Sequence, residues 1–146
     1  ALAMARRMRG VQVLGVDLSE NMLAEARRKA TACGLDERVV LSLGDAERLE
    51  VADASVDVVT VAFGVRNFGD LGAGLREIAR VLKPGGTLLI CNESNGDTDK
   101  DKKWTEIIGG MTIYKDAELK TYLEQAGFHD VQIHKKKSWL CVTARK

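Results

Sequence analysis

Val11-Gln12-Val13-Leu14-Gly15-Val16-Asp17-Leu18-Ser19-Glu20-Asn21-Met22 is the stretch whose reading decides the fold. Val11, Val13, Leu14 and Val16 make a short apolar run, rich in β-branched residues and ended by polar ones. Such a run reads as a buried strand that stops at Asp17. Ser19 then offers an N-cap, and Glu20 falls in the first helical turn, where a carboxylate suits the helix dipole. Asp17 therefore stands at the carboxyl end of a strand, just before a helix. In open α/β sheets ligands bind at that edge. An acid there can accept hydrogen bonds from the two hydroxyls of a ribose, and the same residue type also serves as a plain capping or turn aspartate.

The flanks extend the pattern. The helix after Ser19 is predicted over residues 20–33, with Met22, Leu23, Ala26, Ala30 and Cys33 on one side and Gly34 ending it. Upstream, residues 1–9 are all helix formers, with Gly10 at a C-cap position. The chain begins inside that helix, without an N-cap or an initiator Met, so the sequence is expected to be truncated at its amino end.

Downstream, residues 39–43 form a second strand, ended by Gly44-Asp45-Ala46, so an acid again follows a strand. Residues 49–55 are a polar loop. Residues 56–63 are nearly continuous Val and Ala, a strand buried on both faces. The loop 64–69 follows at its carboxyl end. Leu71, Leu75, Ile78, Ala79 and Leu82 repeat at helical spacing, while Gly72 and Gly74 weaken the first turn and predict a late start. Lys83-Pro84-Gly85-Gly86 stops that helix. Residues 87–91 are a further strand, ended by Asn92 and Glu93. Residues 94–103 are polar and charged and read as a mobile loop, and with the apolar stretch to Tyr114 they suggest a lid carrying Trp104 and Met111. Asp116 is expected to cap a helix whose Leu119, Tyr122, Leu123 and Ala126 share a face and which Gly127 ends. Val131 and Ile133, then Trp139, Leu140 and Val142, suggest two antiparallel strands joined by a short turn near Lys136. The alternation implies an α/β fold: a doubly wound, mostly parallel sheet with helices on both faces and a terminal antiparallel hairpin.

Composition narrows the function classes. With 146 residues the chain is one domain's length, 45% hydrophobic and 29% charged, as in soluble globular proteins. Lys plus Arg number 22 against 21 Asp plus Glu, a net charge of +1 that makes nucleic acid an unlikely partner. Cys33, Cys91 and Cys141 are far apart and form no Cys-x-x-Cys, so no metal site and no disulfide framework is expected; they read as buried thiols of a cytoplasmic protein. The apolar runs are too short for a membrane span.

Four motifs in order carry a resemblance. Gly15-Val16-Asp17-Leu18-Ser19 with Met22-Leu23, then Gly44-Asp45-Ala46, then Arg80-Val81-Leu82-Lys83-Pro84-Gly85-Gly86, then Ala126-Gly127-Phe128, resemble the class I S-adenosylmethionine-dependent methyltransferases across essentially the whole chain. The resemblance implies a seven-stranded sheet with the last strand antiparallel and inserted beside the fifth. It implies S-adenosylmethionine as cofactor, with Asp17 holding the ribose hydroxyls and Leu18 packing on the adenine. Asp45 would receive the adenine amino group beside the backbone of Ala46, and Phe63 and Gly64 would border the methionine moiety. The family's Gly-rich first strand has no counterpart here. It is expected to lie upstream of Ala1, between the strands at 11–16 and 56–63, and residues 1–146 without it are expected to fold and bind the cofactor poorly.

The loop 63–68 also resembles the quinone-biosynthesis C-methyltransferases. Asn92-Glu93, residues 111–114 and the ending Trp139-Leu140-Cys141-Val142 look more like small bacterial methyltransferases of undefined substrate, so the sequence leaves the small-molecule acceptor open. Because the sulfonium methyl is already activated, transfer needs mostly proximity and orientation, and a base only if the acceptor must lose a proton. Arg66, Asn67, Asn92, Glu93 and Tyr114 are the acceptor-side candidates, and no catalytic residue is singled out. His129 and His134 are expected away from that edge, and Lys135-Lys136-Lys137 as a solvated turn. The alternatives are a nicotinamide-dependent oxidoreductase, which Asp17 would also suit, and a non-catalytic methyltransferase-like binding subunit. A homo-oligomer is compatible with all three.

Overall fold

The computed structural model describes residues 1–92, 103, 107, 112–136 and 139–146. Glu93, Trp104, Met111 and Lys137, with most of the lid expected over residues 95–113, lie outside the described residues. Contacts gather into two compact units, residues 1–48 and 49–146. No helix among the described residues is long and apolar enough to cross a membrane.

The first unit holds α1 (Leu2–Arg7), β1 (Val13–Asp17), α2 (Glu20–Ala32) and β2 (Val39–Leu43). β1 and β2 pair in parallel, from Val13 opposite Val39 to Asp17 opposite Leu43. β1 begins at Val13 rather than Val11 and takes in Asp17. The delay has a cause: the Arg38 guanidinium donates to the carbonyl oxygens of Met8 at 2.7 Å and Val11 at 3.2 Å, which holds this approach outside the ladder. α2 follows the expected signals. Ser19 Oγ accepts from the Met22 N–H at 3.3 Å, and Gly34 takes the left-handed turn at φ +64°. Ala5, Ala30, Leu35 and Val39 form the buried core, with Leu2, Val13, Cys33 and Leu41 against it. Met22 does not join it: 62% of its surface is exposed.

The second unit holds β3 (Val56–Ala62), a 3-10 turn (Val65–Asn67), α3 (Leu71–Val81), β4 (Leu82–Asn92), α4 (Asp116–Gln125), β5 (His129–Lys136) and β6 (Trp139–Arg145). The sheet order is β3-β4-β6-β5. β3 and β4 are parallel, while β6 is antiparallel to both β4 and β5. Three strands thus share a direction and the last is inserted in reverse, as the resemblance implies. α3 and α4 pack on each other and on the sheet, over a core that includes Leu75, Ile78, Leu88, Ile90, Leu119 and Leu123.

Three details differ from the sequence reading. α3 starts promptly at Leu71, because Asp70 Oδ1 accepts from the Ala73 N–H at 2.9 Å. Its glycines answer packing: a Cβ on Gly74 would stand 2.4 Å from Phe68 Cδ2. The Lys83-Pro84-Gly85-Gly86 turn lies inside β4 as a bulge, between the pairs Val56–Leu82 and Val58–Thr87. There the Gly85 N–H donates to the Lys146 carbonyl at 2.9 Å, and Lys146 N–H donates to Gly86 at 3.0 Å. Finally, Asp116 lies within the first turn of α4 and makes no cap; its carboxylate pairs with Lys135.

β3 is not buried on both faces, since Val58 is 54% exposed. Among the described residues β3 has β4 as its one ladder neighbour, and β1 has β2. The loop before β3 is held by Arg80 on α3. Its guanidinium donates to the carbonyls of Leu49 and Val51, each at 2.8 Å, and to Glu77 at 2.8 and 3.0 Å. Glu77 in turn accepts from the Leu49 N–H at 2.9 Å.

Candidate functional site

In the first unit, parallel pairing brings the carboxyl ends of β1 and β2 to one edge, and both candidate acids stand there. Asp17 closes β1, and the Gly44 N–H carries the ladder on by donating to the Asp17 carbonyl at 3.0 Å. Asp17 Oδ1 accepts from the Ser19 N–H at 2.8 Å, a turn that fixes the carboxylate while it stays exposed. Asp45 is built alike: Oδ1 accepts from the Glu47 N–H at 2.9 Å and the side chain stays exposed. Each acid is thus oriented by its own loop at one oxygen. Leu18, next to Asp17 in the chain, is 72% exposed. Ala46 is half-buried after Asp45. Gly44 supplies close approach, because a Cβ there would stand 2.9 Å from Val16 Cγ1.

In the second unit, the carboxyl ends of β3, β4 and β5 share an edge with the start of β6, because β6 runs in reverse. Phe63 and Gly64 follow β3. Phe63 holds φ +61°, rare for a bulky residue, while its N–H still donates to the Cys91 carbonyl at 2.9 Å. Its ring lies 5.9 Å from the Trp139 ring, and the Arg66 guanidinium sits 5.5 Å over it. Asn67 turns back, its Nδ2 donating to the Phe63 carbonyl at 3.4 Å. The Thr112 N–H donates to the Arg66 carbonyl at 2.9 Å, which brings the segment leading to Tyr114 beside this loop. Tyr114 meets Tyr122 edge-on at 6.0 Å, and burial raises its phenol above the usual tyrosine value. Asn92 closes β4 with its Oδ1 buried and, among the described residues, without a hydrogen-bond partner.

Asp17, Leu18, Asp45 and Ala46 are therefore gathered on one edge of the first unit, and Phe63, Gly64, Arg66, Asn67 and Asn92 on one edge of the second, with Tyr114 beside them. Glu93 lies outside the described residues. His129 lies at the far end of β5, but His134 stands two residues from the carboxyl edge. Sequence reasoning missed Trp139 as a member of this edge. The available signal was an aromatic residue opening a reversed strand, which places it where the parallel strands end.

Residues 1–105 match the ubiE/COQ5 methyltransferase family. A demethylmenaquinone methyltransferase of Bacteroides fragilis is 36% identical over 132 residues, covering 86% of this chain and 54% of that protein. One of Thermus thermophilus is 47% identical over 90 residues, covering 62% of this chain and 40% of that protein. The chain thus spans about half the length, or less, of the relatives it matches. Among solved structures, a SAM dependent methyltransferase of Aquifex aeolicus superposes with a TM-score of 0.75 at 25% identity, covering 92% of this chain and 68% of the other. The order of strands, the inserted reversed strand and the matched residues agree: the chain belongs to the ubiE/COQ5 methyltransferase family.

Proposed function

We propose that this chain is an S-adenosylmethionine-dependent methyltransferase acting on a small-molecule quinol. The observation that carries the reading is the pair of exposed carboxylates, Asp17 and Asp45, at the carboxyl ends of adjacent parallel strands. The residues fit the cofactor by their chemistry. An ionised carboxylate only accepts hydrogen bonds, so it matches a ribose diol or an adenine amino group. In this reading Asp17 holds the ribose hydroxyls, Asp45 takes the adenine amino group with the Ala46 backbone beside it, and Leu18 covers the base. Phe63 and Gly64 border the methionine end.

The bound cofactor supplies an activated methyl group, and the chain supplies binding and orientation. On the acceptor side, the cation of Arg66 favours an acceptor hydroxyl in its ionised form, which makes the ring carbon more nucleophilic. Tyr114, its phenol raised by burial, keeps its proton at neutral pH and serves as a donor rather than a base. Asn67 and Asn92 orient ring oxygens. Support for the quinol comes from the family match and from the similarity to proteins named demethylmenaquinone methyltransferase. The nicotinamide reading lacks any Gly-x-Gly-x-x-Gly in the chain and gives Asp45 no role.

Titration calorimetry on the intact protein tests the assignment. A hydrogen bond to a charged group contributes about 1.5–3 kcal/mol, so Asp17→Ala should bind S-adenosylmethionine roughly tenfold to a hundredfold more weakly. Asp45→Ala should lose less, since the Ala46 backbone contact persists. Unchanged affinity in Asp17→Ala removes the cofactor assignment.

A further inference from the structure

We propose that Cys91 and Cys141 are a dithiol pair that closes reversibly to a disulfide, a covalent modification site on the second unit's sheet. The two residues are far apart in sequence, yet they are direct partners in the antiparallel pairing of β4 with β6. Their sulfurs lie 2.9 Å apart, both as free thiols, and both side chains are half-buried. Directly opposed residues in antiparallel strands have Cα atoms roughly 4.5 or 5.5 Å apart, and a disulfide accepts about 4.4–6.8 Å. The bond therefore closes without moving the backbone.

The same row of the sheet extends across three strands. Cys91 stands opposite Ala62 on β3, and Cys141 stands opposite His134 on β5. Opposed side chains project from the same face, so the His134 imidazole neighbours the Cys141 thiol and can take its proton. Burial and the hydrogen bond with Cys141 push the Cys91 thiol up to about 11. Exchange with a low-molecular-weight disulfide opens at Cys141, the thiol opposite His134. Its thiolate attacks one sulfur of the oxidant, forms a mixed disulfide and expels one small thiol. The Cys91 thiolate then attacks the Cys141 sulfur and expels the second. Two protein thiols are oxidised, and one small disulfide is reduced to two thiols. The new bond ties β4 to β6 one residue before Asn92 and two residues after Trp139, at the acceptor-side edge.

The test is oxidised glutathione added to the reduced chain, followed by intact mass and peptide mapping. The expected product has lost the mass of two hydrogens, carries a Cys91–Cys141 cross-link, and returns to the starting mass with dithiothreitol. Cys33, in the other unit, stays outside the link. In Cys91→Ser the mixed disulfide on Cys141 should persist, because the resolving thiol is gone. Free thiols at both positions, or stable glutathione adducts on both without a cross-link, overturn the proposal.

Discussion

Replacing Arg80 by alanine removes the clamp between α3 and the loop that leads into β3. The guanidinium makes a two-point contact with Glu77 and holds the Leu49 and Val51 carbonyls at 2.8 Å. The Arg80 side chain is 32% exposed and Glu77 23%, so neither end is a freely hydrated surface charge. Its further contact with Asp53 adds little, because that carboxylate is 77% exposed. The charge-assisted fork to Glu77 contributes about 1.5–3 kcal/mol, and each carbonyl, partly rehydrated after truncation, about 0.5 kcal/mol. The loss is therefore about 3 kcal/mol. For a chain of this size that lowers Tm by roughly 6–12 °C. Arg80→Lys should lose about half as much, since a single ammonium cannot reproduce the planar fork. Urea unfolding followed by circular dichroism measures both. A loss below about 0.5 kcal/mol in Arg80→Ala, the level of an exposed pair, refutes the clamp.

Gly74→Ala should destabilise: its Cβ would meet Phe68 ring atoms at 2.4 and 2.5 Å, and overpacking costs about 1–3 kcal/mol against a helix-propensity gain of about 1 kcal/mol. Gly72→Ala meets the flexible end of Arg76 at 3.0 Å and the Asp70 carboxylate at 3.2 Å, so urea midpoints should separate the two, with Gly72→Ala the milder change. The Arg80 guanidinium, then the Leu49 N–H, hold the Glu77 carboxyl below its ordinary value of 4.5 against the effect of burial. With the folded value depressed, the unfolded chain binds the proton more readily; the stabilisation is complete above pH 4.5 and lost as pH falls through the folded value. Tm measured on acidification should decline less steeply in Glu77→Gln, and identical slopes would contradict the ion pair.

Legibility in the sequence depended on whether a feature was local. Ser19 as a cap, Gly34 as a stop and the alternation in the terminal hairpin are encoded within a few residues, and the structure repeats them. The cap at Asp70 is hidden in the sequence because the two glycines after it weigh against a helix, while their reason lies in packing against Phe68 and Arg76. The bulge at Lys83-Pro84-Gly85-Gly86 depends on a strand partner 26 residues earlier and on Lys146 at the other end of the chain. The cysteines read as separate thiols because register decides which residues face each other, and register between β4 and β6 cannot be read from either strand alone. Val58 lies exposed where its composition implied burial, because burial of a strand's second face depends on what packs there.

The edge of the second unit shows how the local and the long-range parts combine. Two adjacent residues after β3 carry opposite demands. Gly64 has an ordinary φ of −78° and is glycine for space, since a Cβ would stand 2.8 Å from Val61 Cγ1. Phe63 occupies the left-handed conformation that glycine would adopt without strain, and does so at φ +61°. Such a position costs on the order of 1–2 kcal/mol for a residue with a Cβ. Stability alone would favour glycine at 63 as well as at 64, and the phenylalanine persists because its side chain has a task. Held by the Cys91 carbonyl, Phe63 brings its ring close to both Trp139 and the Arg66 guanidinium. The strain lies where β3 hands over to the loop, at the strand ends where an open α/β sheet binds its ligands. Parallel strands place their carboxyl ends together, and the reversed β6 contributes its first residue there as well. The topology thus gathers Phe63, Asn92 and Trp139 from three separate segments, and the strained phenylalanine fixes the surface they form.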